Sequence, residues 1–209
     1  MDNSNKNNWK TSNIQVFWGE IAPCDHVVQI YENDKVFIDT LEGFIGSGIL
    51  AGDSVIIIAT KEHLKILEGR LMKQGFNIHS LSKSDRYITL DAKEALSNFI
   101  VNDWPDEILF IEFISKLIQR AQKNNSHVRA FGEMVALLWE KGFNGATVQL
   151  ENLWNQLHKK DGFTLFCAYP RIGFTQDAND SMETICCSHT KVIGGEAKPS
   201  TEIYYRTAG

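Results

Sequence analysis

Two short clusters in this chain bring together the residue types that bind soft metal ions. Cys24 and His26 lie one residue apart near the start, and Cys186, Cys187 and His189 lie near the end. Thiolate and imidazole are the ligands that zinc, iron and copper prefer. Cys24, His26, Cys186 and His189 form a four-ligand metal set if the two ends of the chain meet in the fold. Their spacing is not that of a zinc finger, so nothing local demands a metal. The plainer alternative is that these cysteines act as small hydrophobes. A thiol-redox role for Cys186 or Cys187 is a further alternative, although a disulfide between adjacent cysteines would be strained.

A second pattern places acids where apolar runs end. Glu32 follows His26-Val-Val-Gln-Ile-Tyr31, Asp91 follows Tyr87-Ile-Thr-Leu90, and Glu133 follows Val128-Arg-Ala-Phe-Gly132. The carboxyl ends of buried strands are where open α/β folds place ligands. Converging carboxylates would take a cationic or hydroxylated ligand, or a metal. Acting separately, each would cap a helix or pair with a base. Tyr31, Trp139 and Tyr169 supply aromatic walls for an apolar pocket, and Arg171 supplies a cation. The candidate ligand-binding set is therefore Tyr31, Glu32, Asp91, Glu133, Trp139, Tyr169 and Arg171. Glu151 and Asn155 share one helix face at i,i+4 spacing, to hold a neighbouring loop or to face water.

Motifs for covalent or phosphoryl chemistry are missing. Gly43, Gly46, Gly48 and Gly52 fall late in a helical stretch and precede a strand, the reverse of a phosphate-binding loop, and no Gly-Lys-Ser/Thr occurs. Close helix packing at Gly46 and Gly48 and a turn at Gly52 account for them. There is no Gly-x-Ser-x-Gly and no His-Glu-x-x-His. A divergent nucleotide-binding hydrolase with Glu133 as general base is the enzymatic alternative, but it lacks a cradle for phosphate.

The elements that must position these residues alternate between strand and helix. Strands are predicted at 26–31, 55–59, 87–90, 128–131, 163–168 and 189–193. Helices are predicted at 35–50, from Thr60 to Gly75, at 92–101, from Pro105 to Asn124, from Met134 to Trp139, at 145–160 and at 176–188. Residues 76–86 read as a loop or weak strand. Val55-Ile-Ile-Ile-Ala59 is continuously apolar, as befits a strand covered on both faces. Phe110, Phe113, Ile114, Leu117, Ile118 and Ala121 form a helical stripe. This order predicts a three-layer α/β fold, a mainly parallel sheet with helices on both faces. The expected organisation is a flexible N-terminus over 1–15, one domain over 16–193 and an extended tail over 194–209.

Composition narrows the function. A hydrophobic fraction of 43% over 209 residues supports one sizeable core. A net charge of −5 and scattered basic residues argue against direct nucleic-acid binding. No apolar run approaches the ~20 residues of a membrane span. The Asn-rich start is not a signal peptide, and four cysteines do not suggest a disulfide framework, so a cytoplasmic setting is expected.

Several segments together resemble the MEDS family, the methanogen/methylotroph DcmR-type sensory domain. They are HVVQIYE (26–32), SVIIIATKEH (54–63), YITLDAKEAL (87–96), VRAFGEMVALLWEKG (128–142) and LENLWNQL (150–157), with CAYP (167–170) and IC-x-x-H (185–189). The resemblance covers about residues 24–193 and is most specific in GEMVALLW. It implies a RecA/KaiC-like α/β fold without a P-loop, in a domain that senses small molecules such as hydrocarbon derivatives. It also implies control of transcription or signalling, often beside a helix-turn-helix or histidine kinase region. This chain has no room for either, so output is expected through a partner such as a histidine kinase or transcription regulator, or through self-association as a homo-oligomer. The positions His26, Tyr31, Glu133, Cys186 and His189 match the family's motifs, which assigns them no roles. The expectation is a non-enzymatic sensory domain; the sequence itself requires no cofactor and leaves a metal open. The metal- or thiol-based sensor is the second reading and the nucleotide-binding enzyme the third.

Overall fold

Seven strands form one sheet in the order β3-β2-β6-β7-β1-β8-β9 in the computed structural model, which describes residues 18, 21–123, 126–171, 179–194 and 202–205. The strands are β1 (His26–Tyr31), β2 (Ser54–Ala59), β3 (Tyr87–Asp91), β6 (Val128–Gly132), β7 (Thr164–Pro170), β8 (Lys191–Gly194) and β9 (Glu202–Tyr205). Six run parallel, and β9 pairs antiparallel with β8. A short hairpin, β4 (Ile100–Val101) with β5 (Trp104–Pro105), stands apart from the sheet. The helices are α1 (Asp34–Ala51), α2 (Lys61–Lys73), α3 (Ile78–Lys83), α4 (Ala92–Leu96), α5 (Glu107–Gln122), α6 (Met134–Glu140), α7 (Asn144–Asp161) and α8 (Asn179–Ser188). The doubly covered, mainly parallel sheet is the architecture expected from the strand–helix alternation. No helix among the described residues is long and apolar enough to cross a membrane.

Strand residues alternate between two cores, as a pleat demands. Val28, Ile56, Ile58, Ile88, Ala130, Leu165, Cys167 and Tyr169 face one side, packed by α4, α5, α6 and α7. Val27, Tyr31, Val55, Ile57, Tyr87, Phe131 and Phe166 face the other, with Trp18, α1 and α2. The first strand lies between β7 and β8, with Val28 beside Cys167 and Val27 beside Lys191. The early and late parts of the chain therefore meet in mid-sheet.

Caps set the helix starts. Asn33, Thr60, Asn77, Asp91 and Asp106 each accept a hydrogen bond from a backbone N–H of the first turn. Gly52, with φ +93, ends α1 in the left-handed conformation. Gly48 on α1 is approached by Arg129 so closely that an added Cβ would lie 2.7 Å from Cδ. Arg129 is itself buried there against Asp53, with Nε to Oδ2 at 2.7 Å. Close packing and a turn thus explain these glycines, and none lies at a phosphate loop.

Three departures have physical reasons. The helix expected over 92–101 stops at Leu96, because Ser97 Oγ and Asn98 Nδ2 both bond to the Glu94 carbonyl oxygen. The chain then turns through Asn102 and Asp103, both at positive φ (51 and 60), as a tight hairpin requires. Pro105 consequently lies in β5, and Asp106, not Pro105, opens α5. Residues 78–83 form a capped helical turn with no buried residue, so no apolar stripe announced it. The sheet also continues past 193, because Glu202–Tyr205 adds β9 within the stretch expected to be a tail. The expected flexible N-terminus, and the rest of that tail, lie outside the described residues.

Candidate functional site

Glu133 sits where β6 ends and α6 begins, at the carboxyl edge of the sheet. Its backbone N–H donates to Ile58 O at 2.8 Å, fixing it beside the end of β2. Its carboxylate accepts from the Thr60 N–H at 2.8 Å through Oε2 and meets His63 Nδ1 at 2.8 Å through Oε1. His63 in turn lies edge-on to Phe37, which stacks on Tyr31. Burial alone would lower the His63 pKa, but the hydrogen bond and charge of Glu133, aided by Asp34 and Glu62, raise it above the ordinary imidazole value. Burial, then Glu133, pushes the Tyr31 phenol up. Glu140, at the end of α6, is raised by burial and by the charges of Glu133 and Asp34. One buried carboxylate, one imidazole and two aromatic rings thus meet near the carboxyl ends of β1, β2 and β6, with the exposed acids Asp34 and Glu140 acting on them through charge.

The other predicted ligand residues do not join this group. Asp91 accepts from the Glu94 N–H at 2.9 Å and caps α4. Glu32 pairs with Arg171 across the ends of β1 and β7, an exposed ion pair. Trp139 and Tyr169 are buried and pack edge-to-face at 6.0 Å in the core between the sheet and α6–α7. The three strand-end acids are therefore held separately, two of them in the plainer roles of cap and ion pair.

A second polar group lies inside that core, among apolar side chains. His26 and Cys167 project from neighbouring strands, Glu151 from α7, and His189 from the turn after α8. All four are buried. His26 Nε2 lies 3.5 Å from Cys167 Sγ and 3.7 Å from Glu151 Oε2. His189 Nε2 lies 3.6 Å from Glu151 Oε2, and Cys167 Sγ lies 3.7 Å from the same oxygen. The outer shell is also made. His26 Nδ1 bonds Asn155 Oδ1 at 2.8 Å, His189 Nδ1 donates to Ile185 O at 2.6 Å, and Tyr169 OH donates to Glu151 Oε1. Burial and the neighbouring His189 hold His26 well below the ordinary imidazole pKa, and burial lowers His189. Burial and Glu151 push the Cys167 thiol up.

The structure thus brings His26 and His189 together, as a metal set drawn from both ends requires. It corrects the other two members. Cys24 is exposed beside Gly162, and Cys186 is half-buried outside the group; their places are taken by Glu151 and Cys167. The i,i+4 pair Glu151 and Asn155 does face one partner, His26, rather than water. Cys167 carried no spacing signal, because a cysteine within an apolar strand reads as core.

A match to the methanogen/methylotroph DcmR sensory domain, MEDS, runs over residues 25–190. The chain belongs to the MEDS family. The matched span contains every residue of both polar groups. Among solved structures, this MEDS chain is similar to a KaiC-like protein of the hyperthermophilic archaeon Pyrococcus horikoshii. The TM-score is 0.58 at 13% identity, over 87% of this chain and 77% of that one. A second Pyrococcus horikoshii protein gives 0.55 at 11% identity, over 88% of each chain. At these identities the likeness concerns the fold, which is the KaiC-like α/β fold implied by the sequence resemblance. No curated protein matches the chain significantly.

Proposed function

We propose that this MEDS chain is a non-enzymatic sensory module that binds a small cationic or hydroxylated molecule at the carboxyl ends of β1, β2 and β6. The observation that carries this reading is the buried Glu133 at the carboxyl edge of the sheet, whose carboxylate meets the Thr60 N–H and His63 beside the stacked Tyr31 and Phe37 rings and whose charge helps to raise Tyr31 and Glu140. Such a group favours a cation or a hydroxyl donor, with Tyr31 and Phe37 as the apolar wall. The family's sensory character points the same way.

A nucleotide would need amides free to cradle phosphate where β1 leads into α1. That first turn is closed by Asn33, whose side chain accepts from the Val36 N–H at 3.1 Å, and it carries the acid Asp34. Neither feature favours an anion. Output would pass to a signalling protein or to a second copy, and exposed Val101, Trp104, Ile108 and Phe143 offer apolar surface for it. A bias of ~1–3 kcal/mol between two states suffices for such a switch.

Calorimetry with short alkylammonium ions and short-chain alcohols tests the reading. Saturable heat with the wild-type chain, lost in Glu133→Gln, supports it. No heat from either series, or conversion of a bound compound to product, overturns it. ATP should give no heat.

A further inference from the structure

We propose that His26, Glu151, Cys167 and His189 form a buried, tetrahedral binding site for a late first-row divalent metal ion, zinc above all. The argument begins with distances. Zinc bonds of about 2.0–2.3 Å at tetrahedral angles place ligand atoms roughly 3.3–3.7 Å apart. Four of the six separations in this group are 3.5, 3.7, 3.6 and 3.7 Å. All six fall within 4.8 Å.

Lone-pair direction gives the second line. Ile185 O can only accept, so His189 Nδ1 carries the proton and Nε2 carries a lone pair. That Nε2 is fully buried, lies against the group and has no hydrogen-bond partner. A buried acceptor left in this way is costly, and a metal ion would satisfy it. With Asn155 Oδ1 accepting from His26 Nδ1, His26 Nε2 also directs its lone pair inward. Histidine ligands held by a second hydrogen bond, and a carboxylate held by a tyrosine, are how metal sites fix their ligands.

Charge gives the third. Two neutral imidazoles, one carboxylate and one thiolate carry −2 together, so a divalent ion leaves the buried site neutral. Binding expels one proton, from the Cys167 thiol: Cys–SH plus M²⁺ gives (Cys–S–M)⁺ plus H⁺, and the Glu151 carboxylate balances the remaining charge. Nitrogen, sulfur and oxygen donors in this proportion suit zinc and its spectroscopic substitute cobalt. The site is on the opposite side of the sheet from Phe37 and Tyr31, so it is separate from the Glu133 group.

The test uses the full chain refolded in the presence of cobalt(II), because the site is sealed in the folded protein. We expect one equivalent bound, with the intense visible bands of tetrahedral cobalt and a near-ultraviolet thiolate-to-cobalt charge-transfer band. Zinc should displace it. Cys167→Ser should lose the charge-transfer band. A variant with Cys24, Cys186 and Cys187 all changed to Ser should keep it, which covers the case in which Cys167→Ser does not fold. Absence of the thiolate band in the wild-type chain, its survival in Cys167→Ser, or its loss in the triple variant overturns the assignment. Glu133→Gln should leave the band intact, so failure of the ligand reading and failure of the metal site are separately visible.

Discussion

The rings of His26 and His189, one from the first strand and one from the turn before β8, lie with centroids 3.8 Å apart inside the core. No local motif produces that contact. It follows from β1 pairing with β8 in mid-sheet, which sets the two histidines over α7 and within reach of Glu151.

Metal loading should therefore stabilise the whole fold. A ligand present at 100 times its Kd adds about 2.7 kcal/mol to the native state. Thermal unfolding of zinc-refolded chain, with and without a strong chelator applied during refolding, should show the chelated sample melting several degrees lower.

Replacing Glu133 by alanine removes the acceptor that holds the Thr60 N–H and the His63 ring. A buried donor left without its partner costs about 1–3 kcal/mol. Urea denaturation should show a loss of that size, with the slope unchanged.

The His63–Glu133 pair also sets a pH dependence. His63 is raised in the folded chain above its ordinary value near 6.5. Its stabilising contribution is fully present below pH ~6.5 and is lost as pH rises through the higher folded pKa. Glu133, Asp34 and Glu62 all favour the protonated ring, with burial opposing them. The slope of denaturation free energy against pH just above 6.5 should flatten in His63→Gln, and a nuclear magnetic resonance titration of the ring should place its pKa above the free value.

Gly48→Ala should destabilise without touching either polar group. The added methyl would lie 2.7 Å from Arg129 Cδ and 2.9 Å from Nε. Arg129 cannot swing away freely, since it binds Asp53 and reaches Ser47 Oγ at 3.0 Å and the Trp18 and Phe44 carbonyl oxygens at 3.3 Å. Overpacking of this kind costs about 1–3 kcal/mol, readable as a lower denaturation midpoint.

Asp91→Ala separates capping from ligand binding. Loss of the bond to the Glu94 N–H should cost about 1 kcal/mol. Heats of alkylammonium binding should be unchanged, because the Asp91 carboxylate is committed to the Glu94 N–H while Glu133 meets Thr60 and His63.

Much of this architecture was legible because apolar strands such as Val55–Ala59 and stripes such as Phe110–Ala121 carry their periodicity in the open. The turn at Asn102-Asp103 was not, because two left-handed residues cut short a stretch whose composition suits a helix. Among the polar groups, His26 and His189 stood out as cysteine neighbours, while Glu151 was visible only as half of an i,i+4 pair. A carboxylate set among Leu150, Leu153 and Trp154 on a buried helix is the signal that deserved more weight, since burying such a charge demands a partner. Cys167 was hidden by its strand, and His63 by its place in an ordinary amphipathic helix.

The position of β1 also governs the order of events during synthesis. His26 and Cys167 are separated by 141 residues, and both sheet neighbours of β1 are made late. At ribosomal rates of about 5–20 residues per second, the first strand waits on the order of 10 s for a neighbour. During that interval a nascent chain carries Val27, Val28, Ile30 and Tyr31 as an unpaired apolar edge. A strand flanked on both sides in the finished sheet is thus the one most exposed to wrong partners while the protein is being made.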